Sequence, residues 1–336
     1  MRAVILASHP EGPFTAQHFE IADVPALKIT EGQVLIRNMF LSLDPGNRLM
    51  LGAAEDGYIA AMPVGEAMVT LAVGEVTESK HAGFEVGDVM AGRGLTAESS
   101  VITPDVDPLC WKLDQDTMSA PSNALSIQGA SGMTAYFGLL DVAKPQPGET
   151  VLVSGAAGAV GSAVGQIAKI HECRTVGIAG GPEKARRLTE EFGFDAAIDY
   201  KGRSLAELTS AIKEACPEGV DVFFDNVGGM QLDAALACMN WQGRITTCGM
   251  ISQYDGQTPP PMHNLFQVVA NALRIEGFLV HTYTDRTGEA IAALGGWVRE
   301  GRLAFREDIV EGLDEFGGGF ARLFDGSNDG KMMVQL

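Results

Sequence analysis

The sequence predicts an α/β chain in two parts, a small barrel-like β domain and a doubly wound parallel sheet. Three features carry that reading. Up to about residue 113, short apolar runs are broken by Gly, Pro and Asp, the spacing of a turn-rich β domain. From residue 150 onward, β-branched apolar runs alternate with stretches of helical period, and repeated strand–helix units require a parallel sheet with right-handed crossovers. Between the first of those strands and its helix stands a glycine-rich turn, Gly155-Ala156-Ala157-Gly158-Ala159-Val160-Gly161.

In chain order, strands are expected at 2–6, 33–37, 68–76 and 86–91. The pattern then turns helical over 121–140, with a small-residue start at Gly129-Ala130-Ser131-Gly132. The Pro- and Gly-rich turn at 144–149 delivers the chain into the strand at 151–153. Its helix carries Val160, Val164, Ile167, Ala168 and Ile170 on one apolar stripe. Strands follow at 174–179, 196–200, 220–225, 243–248 and 275–280. Helices are expected at 183–192, 204–215, 230–239, from the Pro-rich loop at 257–261 to about 273, and at 287–300. A terminal strand at 332–336 is expected to rejoin the N-terminal domain. The division is therefore 1–122 with 300–336 for one domain, and 123–299 for the other.

Strand, glycine turn and helix in that order suit the pyrophosphate of a dinucleotide, as in the Rossmann arrangement. The turn must be tight, no Cβ can stand in the way, and the helix N-terminus offers free N–H groups. Ala156 takes the first glycine position of the usual G-x-G-x-x-G pattern, and Gly158 and Gly161 complete it. NAD-preferring folds place an acid at the end of the second strand, on the ribose 2′-hydroxyl. Here that place reads Ala179-Gly180-Gly181-Pro182-Glu183-Lys184, with no carboxylate at the strand end. A small uncharged turn followed by Lys184 suits a 2′-phosphate, so NADPH (NADP+) is the expected cofactor. Glu183 remains an alternative ribose partner, and Lys184 is equally readable as a surface lysine.

Composition excludes several other classes. A formal net charge of −19 without any run of Lys and Arg argues against a nucleic-acid partner or an anionic membrane surface. No stretch has the length of a membrane span or the shape of a targeting segment, so a cytoplasmic protein is expected. Cys110, Cys173, Cys216, Cys238 and Cys248 are widely spaced and odd in number, which indicates neither a disulfide framework nor a zinc site. His9, His18, His81, His171, His263 and His281 show no ligand spacing, so no metal is expected.

A β-rich domain before a late dinucleotide fold is the layout of the medium-chain dehydrogenase/reductase superfamily. Zinc alcohol dehydrogenases of that layout carry a Gly-His-Glu segment; this chain has Val64-Gly65-Glu66. Leu41-Ser42-Leu43-Asp44-Pro45 followed by Arg48 resembles the L-S-x-D-P-x-x-R segment of the zinc-independent double-bond reductases. The glycine turn, Gly180 to Lys184, Phe224-Asp225-Asn226-Val227-Gly228-Gly229, Cys248-Gly249-Met250-Ile251-Ser252-Gln253-Tyr254 and Glu276-Gly277-Phe278-Leu279-Val280 extend the resemblance over the whole chain. That group includes prostaglandin reductases, plant 2-alkenal reductases and bacterial curcumin reductase.

The resemblance implies a GroES-like β-barrel catalytic domain, a Rossmann NADP-binding domain and reduction of the C=C bond of α,β-unsaturated ketones or aldehydes. It implies that Ala157, Gly158, Ala159, Val160 and Gly161 lie against the pyrophosphate, and that Lys184 and Tyr200 hold the 2′-phosphate. Tyr200 is equally readable as a core tyrosine at a strand end. Asn226 is implied beside a ribose; Cys248, Met250, Ile251, Phe278, Leu279 and Val280 beside the nicotinamide; and Asn328 reaching it from the tail. The side chain of Cys248 itself reads better as a small buried hydrophobe. Tyr254 is implied near the substrate carbonyl, either donating to the developing enolate or lining the cleft. Gly46-Asn47 departs from the group, many of whose members have Tyr after Asp-Pro, so a substrate preference does not carry over. Two rival readings stay open: a quinone oxidoreductase of the same superfamily, and an NADPH-binding protein without catalysis. A homodimer is expected, because the sixth-strand edge often pairs across a two-fold axis in the superfamily.

Overall fold

A computed structural model of the chain describes residues 1–52, 60–254 and 260–336, with Gln115 and Asp116 by their backbone alone. The chain forms two compact units. One comprises Met1–Ala130 and Glu307–Leu336, with Tyr254 grouped to it; the other comprises Ser131–Gln253 and Gln257–Arg306.

The first unit opens with β1 (Arg2–Leu6), which pairs antiparallel with β2 (Phe19–Asp23). The strands β3 (Val34–Ser42), β4 (Val69–Ser79), β5 (Val89–Leu95), β6 (Ser99–Ile102) and β7 (Trp111–Lys112) follow. β3 runs five residues past the predicted end at 37. The reason is Asn38, a buried amide inside the strand whose Nδ2 donates to the Ala97 carbonyl at 2.7 Å and to Ser100 Oγ at 2.9 Å. With its Nδ2 donor paired in this way, the amide does not end the strand. A short helix, α1 (Gln115–Met118), starts where the Asp114 side chain accepts from the Thr117 N–H.

The predicted helix over 121–140 is broken. It consists of a 3₁₀ turn at Pro121–Ala124, then α2 (Ala130–Phe137), then a π turn at Gly138–Ala143. A Cβ at Gly129 would lie 2.3 Å from the Ala124 carbonyl oxygen, so only glycine lets the chain fold back there. The second unit continues with β8 (Thr150–Val153), α3 (Ala159–Ile170), β9 (Arg174–Ala179), α4 (Pro182–Glu190), β10 (Ala196–Asp199) and α5 (Leu205–Ala215). Next come β11 (Val220–Asp225), α6 (Gly229–Leu236), β12 (Met239–Thr247), α7 (Gln267–Ala270), β13 (Arg274–Gly277) and α8 (Thr287–Arg299). The helix expected to Met239 stops at Leu236, because Met239 already pairs with Val220 in the sheet. The predicted Pro-rich loop falls largely on 257–259, outside the described residues. The helix expected after it shrinks to α7, and Val280 leaves the predicted strand for a 3₁₀ turn.

All six strands of this sheet run parallel, in the order β10-β9-β8-β11-β12-β13. The order reverses between β8 and β11, which creates a crevice beyond their carboxyl ends. Leu152, Val176, Ile178, Phe223 and Ile245 form the sheet's share of the core, with Leu208, Ile212 and Leu236 from the helices.

The chain then returns to the first unit through β14 (Glu307–Glu311), α9 (Phe316–Asp325) and β15 (Lys331–Gln335). Its sheet has the order β14-β15-β3-β4-β5-β7. One edge of β3 runs along β4, and the other is shared between β6 at residues 34–37 and β15 at residues 40–42. Phe316 and Phe320 of α9 are fully buried, and Phe320 meets Phe14 edge-on at 4.9 Å.

Candidate functional site

The glycine turn lies at the order reversal of the parallel sheet. Gly155 takes φ +57°, which a side chain resists, and brings the chain round to the helix start. Gly158 is the N-cap of α3 in extended conformation, and it offers no side chain to occupy the first free N–H groups. Gly161 is required by contact. Its Cβ would lie 2.4 Å from the Gly155 carbonyl oxygen and 2.7 Å from Ala156 Cα, both backbone atoms. Ala156, fully buried, donates its N–H to the Ile178 carbonyl at 3.0 Å and packs the turn onto β9. An alanine fits the first position because the close approach is made from the helix side.

One residue ties the turn to the end of β11. Asp225 is fully buried, and its Oδ1 accepts from Ser154 Oγ at 2.7 Å, from the Val227 N–H at 3.0 Å and from the Gly228 N–H at 2.9 Å. Burial pushes this carboxyl above its usual range, against the lowering effect of those three donors. Asn226 donates its N–H to Ser154 Oγ at 2.8 Å and its Nδ2 to the Ser154 carbonyl at 2.7 Å. The Cys248 N–H reaches back to the Asp225 carbonyl at 2.8 Å, and Met250 packs on Gly228. The ends of β8, β11 and β12 are thus one hydrogen-bonded assembly.

At the end of β9, Gly180 faces the Tyr200 ring and the Lys201 stem. A Cβ there would lie 3.2 Å from Tyr200 Cε1 and 3.1 Å from Lys201 Cε. Asp199 lies in this neighbourhood, but its Oδ1 accepts from the Gly181 N–H at 2.7 Å and the Lys201 N–H at 3.0 Å. Lys184 stands half-buried in the first turn of α4. Burial, and then the charge of Asp199, raise the Tyr200 hydroxyl above its ordinary pKa.

Residues 2–106 match the family described as the N-terminal domain of oxidoreductase, and residues 159–295 match the family described as zinc-binding dehydrogenase. The chain is 36% identical to the NADPH-dependent curcumin reductase of Escherichia coli, covering 100% of this chain and 96% of the relative. It is 38% identical to the NADP(+)-dependent 2-alkenal reductase of Nicotiana tabacum, covering 100% and 97%. The crystal structure of CurA in complex with NADPH from Vibrio vulnificus superposes with a TM-score of 0.92 at 35% identity, covering 100% and 99%. The chain belongs to the zinc-independent NADP-dependent double-bond reductases of the medium-chain superfamily. Among the described residues, no group of three or more His, Cys, Asp and Glu is placed to hold a metal.

In this reductase the segment 41–48 is a structural clasp of the first unit. Leu41 and Leu43 are core residues, and the Asp44 carboxylate accepts from Ser42 and from the buried Lys331 ammonium. Lys331 also donates to the Leu43 carbonyl at 3.1 Å, and Arg48, buried, donates to the Gly12 carbonyl at 3.0 Å. Of the residues singled out from sequence, Tyr254 and Asn328 belong to this first unit, both half-buried; Asn328 Nδ2 donates to the Gly330 carbonyl at 3.1 Å. Phe278 follows β13 with its ring against Gly138 and Phe224, Leu279 is exposed, and Ile251 opens a 3₁₀ turn. The Cys248 thiol is pushed up to about 12 by burial and then by Asp225, so it is neutral and no nucleophile. Sequence reasoning assigned no role to Ser154, Asp225 or Lys201. The signal for the first two was a Ser and an Asp closing adjacent strands, but they are 71 positions apart and only the topology pairs them.

Proposed function

We propose that this chain uses NADPH to reduce the C=C double bond of α,β-unsaturated ketones and aldehydes. The observation that carries the reading is the glycine turn at the switch point, joined to a turn after β9 whose Gly181 N–H is held by Asp199 of the neighbouring β10. Asp199 turns one carboxylate oxygen to the backbone rather than to a ligand, and the open space beside Gly181 suits a phosphate. Membership of the NADP-dependent double-bond reductases over the full chain supports the same cofactor and reaction.

Residues 157–161 are assigned to the pyrophosphate, Lys184 and Tyr200 to the 2′-phosphate, and Asn226 to a ribose. Cys248, Met250, Ile251 and residues 278–280 are assigned to the nicotinamide end, together with Asn328. When bound, the cofactor supplies a hydride for the substrate β-carbon. The negative charge that develops on the carbonyl oxygen is held by the Tyr254 hydroxyl in this proposal, and a solvent proton completes the α-carbon. Such a site needs orientation and charge stabilisation more than a strong acid or base. Tyr254→Phe is expected to lower kcat roughly a hundredfold with little change in NADPH binding; unchanged turnover would remove the assignment.

The deciding assay follows loss of nicotinamide absorbance with NADPH against NADH, on a simple alkenone and a small quinone, with product identification. A saturated ketone formed preferentially with NADPH is expected. Quinone reduction with untouched enone would move the chain to the quinone oxidoreductases, and NADPH binding without turnover would make it a non-catalytic binder.

The chain is proposed to form a homodimer through β13, whose four residues are all exposed at the sheet edge. Phe266 and Val269, in the segment that precedes it, are 71% and 73% exposed, and a bare strand edge is ordinarily paired or covered. Light scattering should give twice the chain mass; a monomer at working concentration would refute the pairing. No helix among the described residues is long and apolar enough to cross a membrane, and the cysteines are unpaired. Free thiols support placement in the reducing cytoplasm.

A further inference from the structure

We infer that Ser154 and Asp225 are positioning residues that fix the Asn226 carboxamide with its oxygen outward, so that this site accepts a hydrogen bond from a ligand hydroxyl. The inference rests on the NADPH reading above and names the part of the cofactor that meets Asn226 Oδ1: a donor such as a hydroxyl of the nicotinamide-side ribose.

Asn226 is held at two points by Ser154. Its Nδ2 donates to the Ser154 carbonyl, and its own N–H donates to Ser154 Oγ. Turning the amide over would set Asn226 Oδ1 against the Ser154 carbonyl oxygen, two acceptors at 2.7 Å without a proton between them. The amide therefore has one orientation, which fixes Oδ1 as its acceptor and leaves the second Nδ2 hydrogen on the opposite side. Asn226 also borders the pyrophosphate turn, since a Cβ on Gly155 would lie 3.4 Å from Asn226 Cβ.

Ser154 can accept from the Asn226 N–H only if its own proton points elsewhere. Asp225 provides that direction by accepting the hydroxyl at 2.7 Å. A carboxyl suits the task because Oδ1 gathers the Ser154 hydroxyl and the N–H groups of Val227 and Gly228 on one oxygen. An amide at 225 could turn over and present a donor to the same three donors. Asp225 Oδ2 has no hydrogen-bond partner, so the network is directed through Oδ1 alone.

The test measures dissociation constants by calorimetry for NADPH and for 2′,5′-ADP, which lacks the second ribose and the nicotinamide. Ser154→Ala, Asn226→Ala and the double variant are compared with the parent, with circular dichroism melts to confirm folding. Each single variant is expected to bind NADPH roughly tenfold more weakly, with 2′,5′-ADP binding held within about twofold. If Ser154 acts through Asn226, the double variant loses no more than Asn226→Ala alone. Additive losses, or equal weakening of both ligands, would overturn the inference, since Ser154 would then merely shape the turn. If the parent binds NADPH with the coupling intact but reduces no enone, the positioning stands and the reductase reading fails.

Discussion

A methyl group added at Gly161 would meet the Gly155 carbonyl oxygen at 2.4 Å, and neither that oxygen nor Ala156 Cα can swing aside as a side-chain tip would. The helix N-terminus must then lift from the turn. Gly161→Ala is expected to cost about 1–3 kcal/mol of stability and to raise the KM for NADPH at least roughly tenfold while leaving the KM for enone nearly unchanged. Steady-state kinetics with each substrate varied in turn checks this; an unchanged KM for NADPH would show that the turn tolerates the shift. At this scale the sequence was most informative where one residue type alone meets a local demand. It was silent where partners are distant: Ser154 and Asp225 look ordinary until the sheet order makes them neighbours. Nothing local in the sequence marks Lys331 either, yet it is 3% exposed and bound to Asp44.

The inner strands of the parallel sheet were legible because their residues are buried on both faces and read as unbroken apolar runs. The spans 174–179 and 220–225 coincide with β9 and β11. Boundaries failed where a residue suits two states, as at Met239, and where glycines break a helical text, as at Gly129 and Gly138. One tie between elements is strong enough to predict. Arg244 of β12 donates to both oxygens of Glu149, at 2.8 and 2.6 Å, and to the carbonyls of Ala143 and Lys144 at the end of the π turn. Burial pushes the Glu149 carboxyl up, but the hydrogen bonds from Arg244 and from the Gln146 N–H outweigh it and set the net shift below 4.5. A carboxyl with a lowered folded pKa contributes stability above its unfolded value, and that contribution is lost as pH falls through the folded pKa. Glu149→Gln is therefore expected to destabilise the second unit by about 1–3 kcal/mol near neutral pH, and the gap to the parent should close as acidification protonates Glu149. Thermal melts of both proteins across that range decide it; a gap independent of pH would assign the loss to packing.

On the scale of the whole chain, β15 is the feature with the widest reach. It lies inside the first unit's sheet, between β14 and β3, and its residues 332–334 are fully buried. Removing residues 331–336 is expected to expose the first unit to limited proteolysis while the second unit keeps a cooperative melt, because none of the second unit's strands pairs with β15. Protease resistance of residues 1–130 in that truncated chain would contradict this. The same placement sets an order of events at the ribosome. The second unit's strands all lie between residues 150 and 277, so it has them well before the last strand of the first unit has emerged. The first unit, although its text is read first, must wait with the β3 edge open until the last strand of the chain arrives. Translation speed and chaperone cover over that interval should therefore decide the yield of active protein more than the intrinsic stability of either unit.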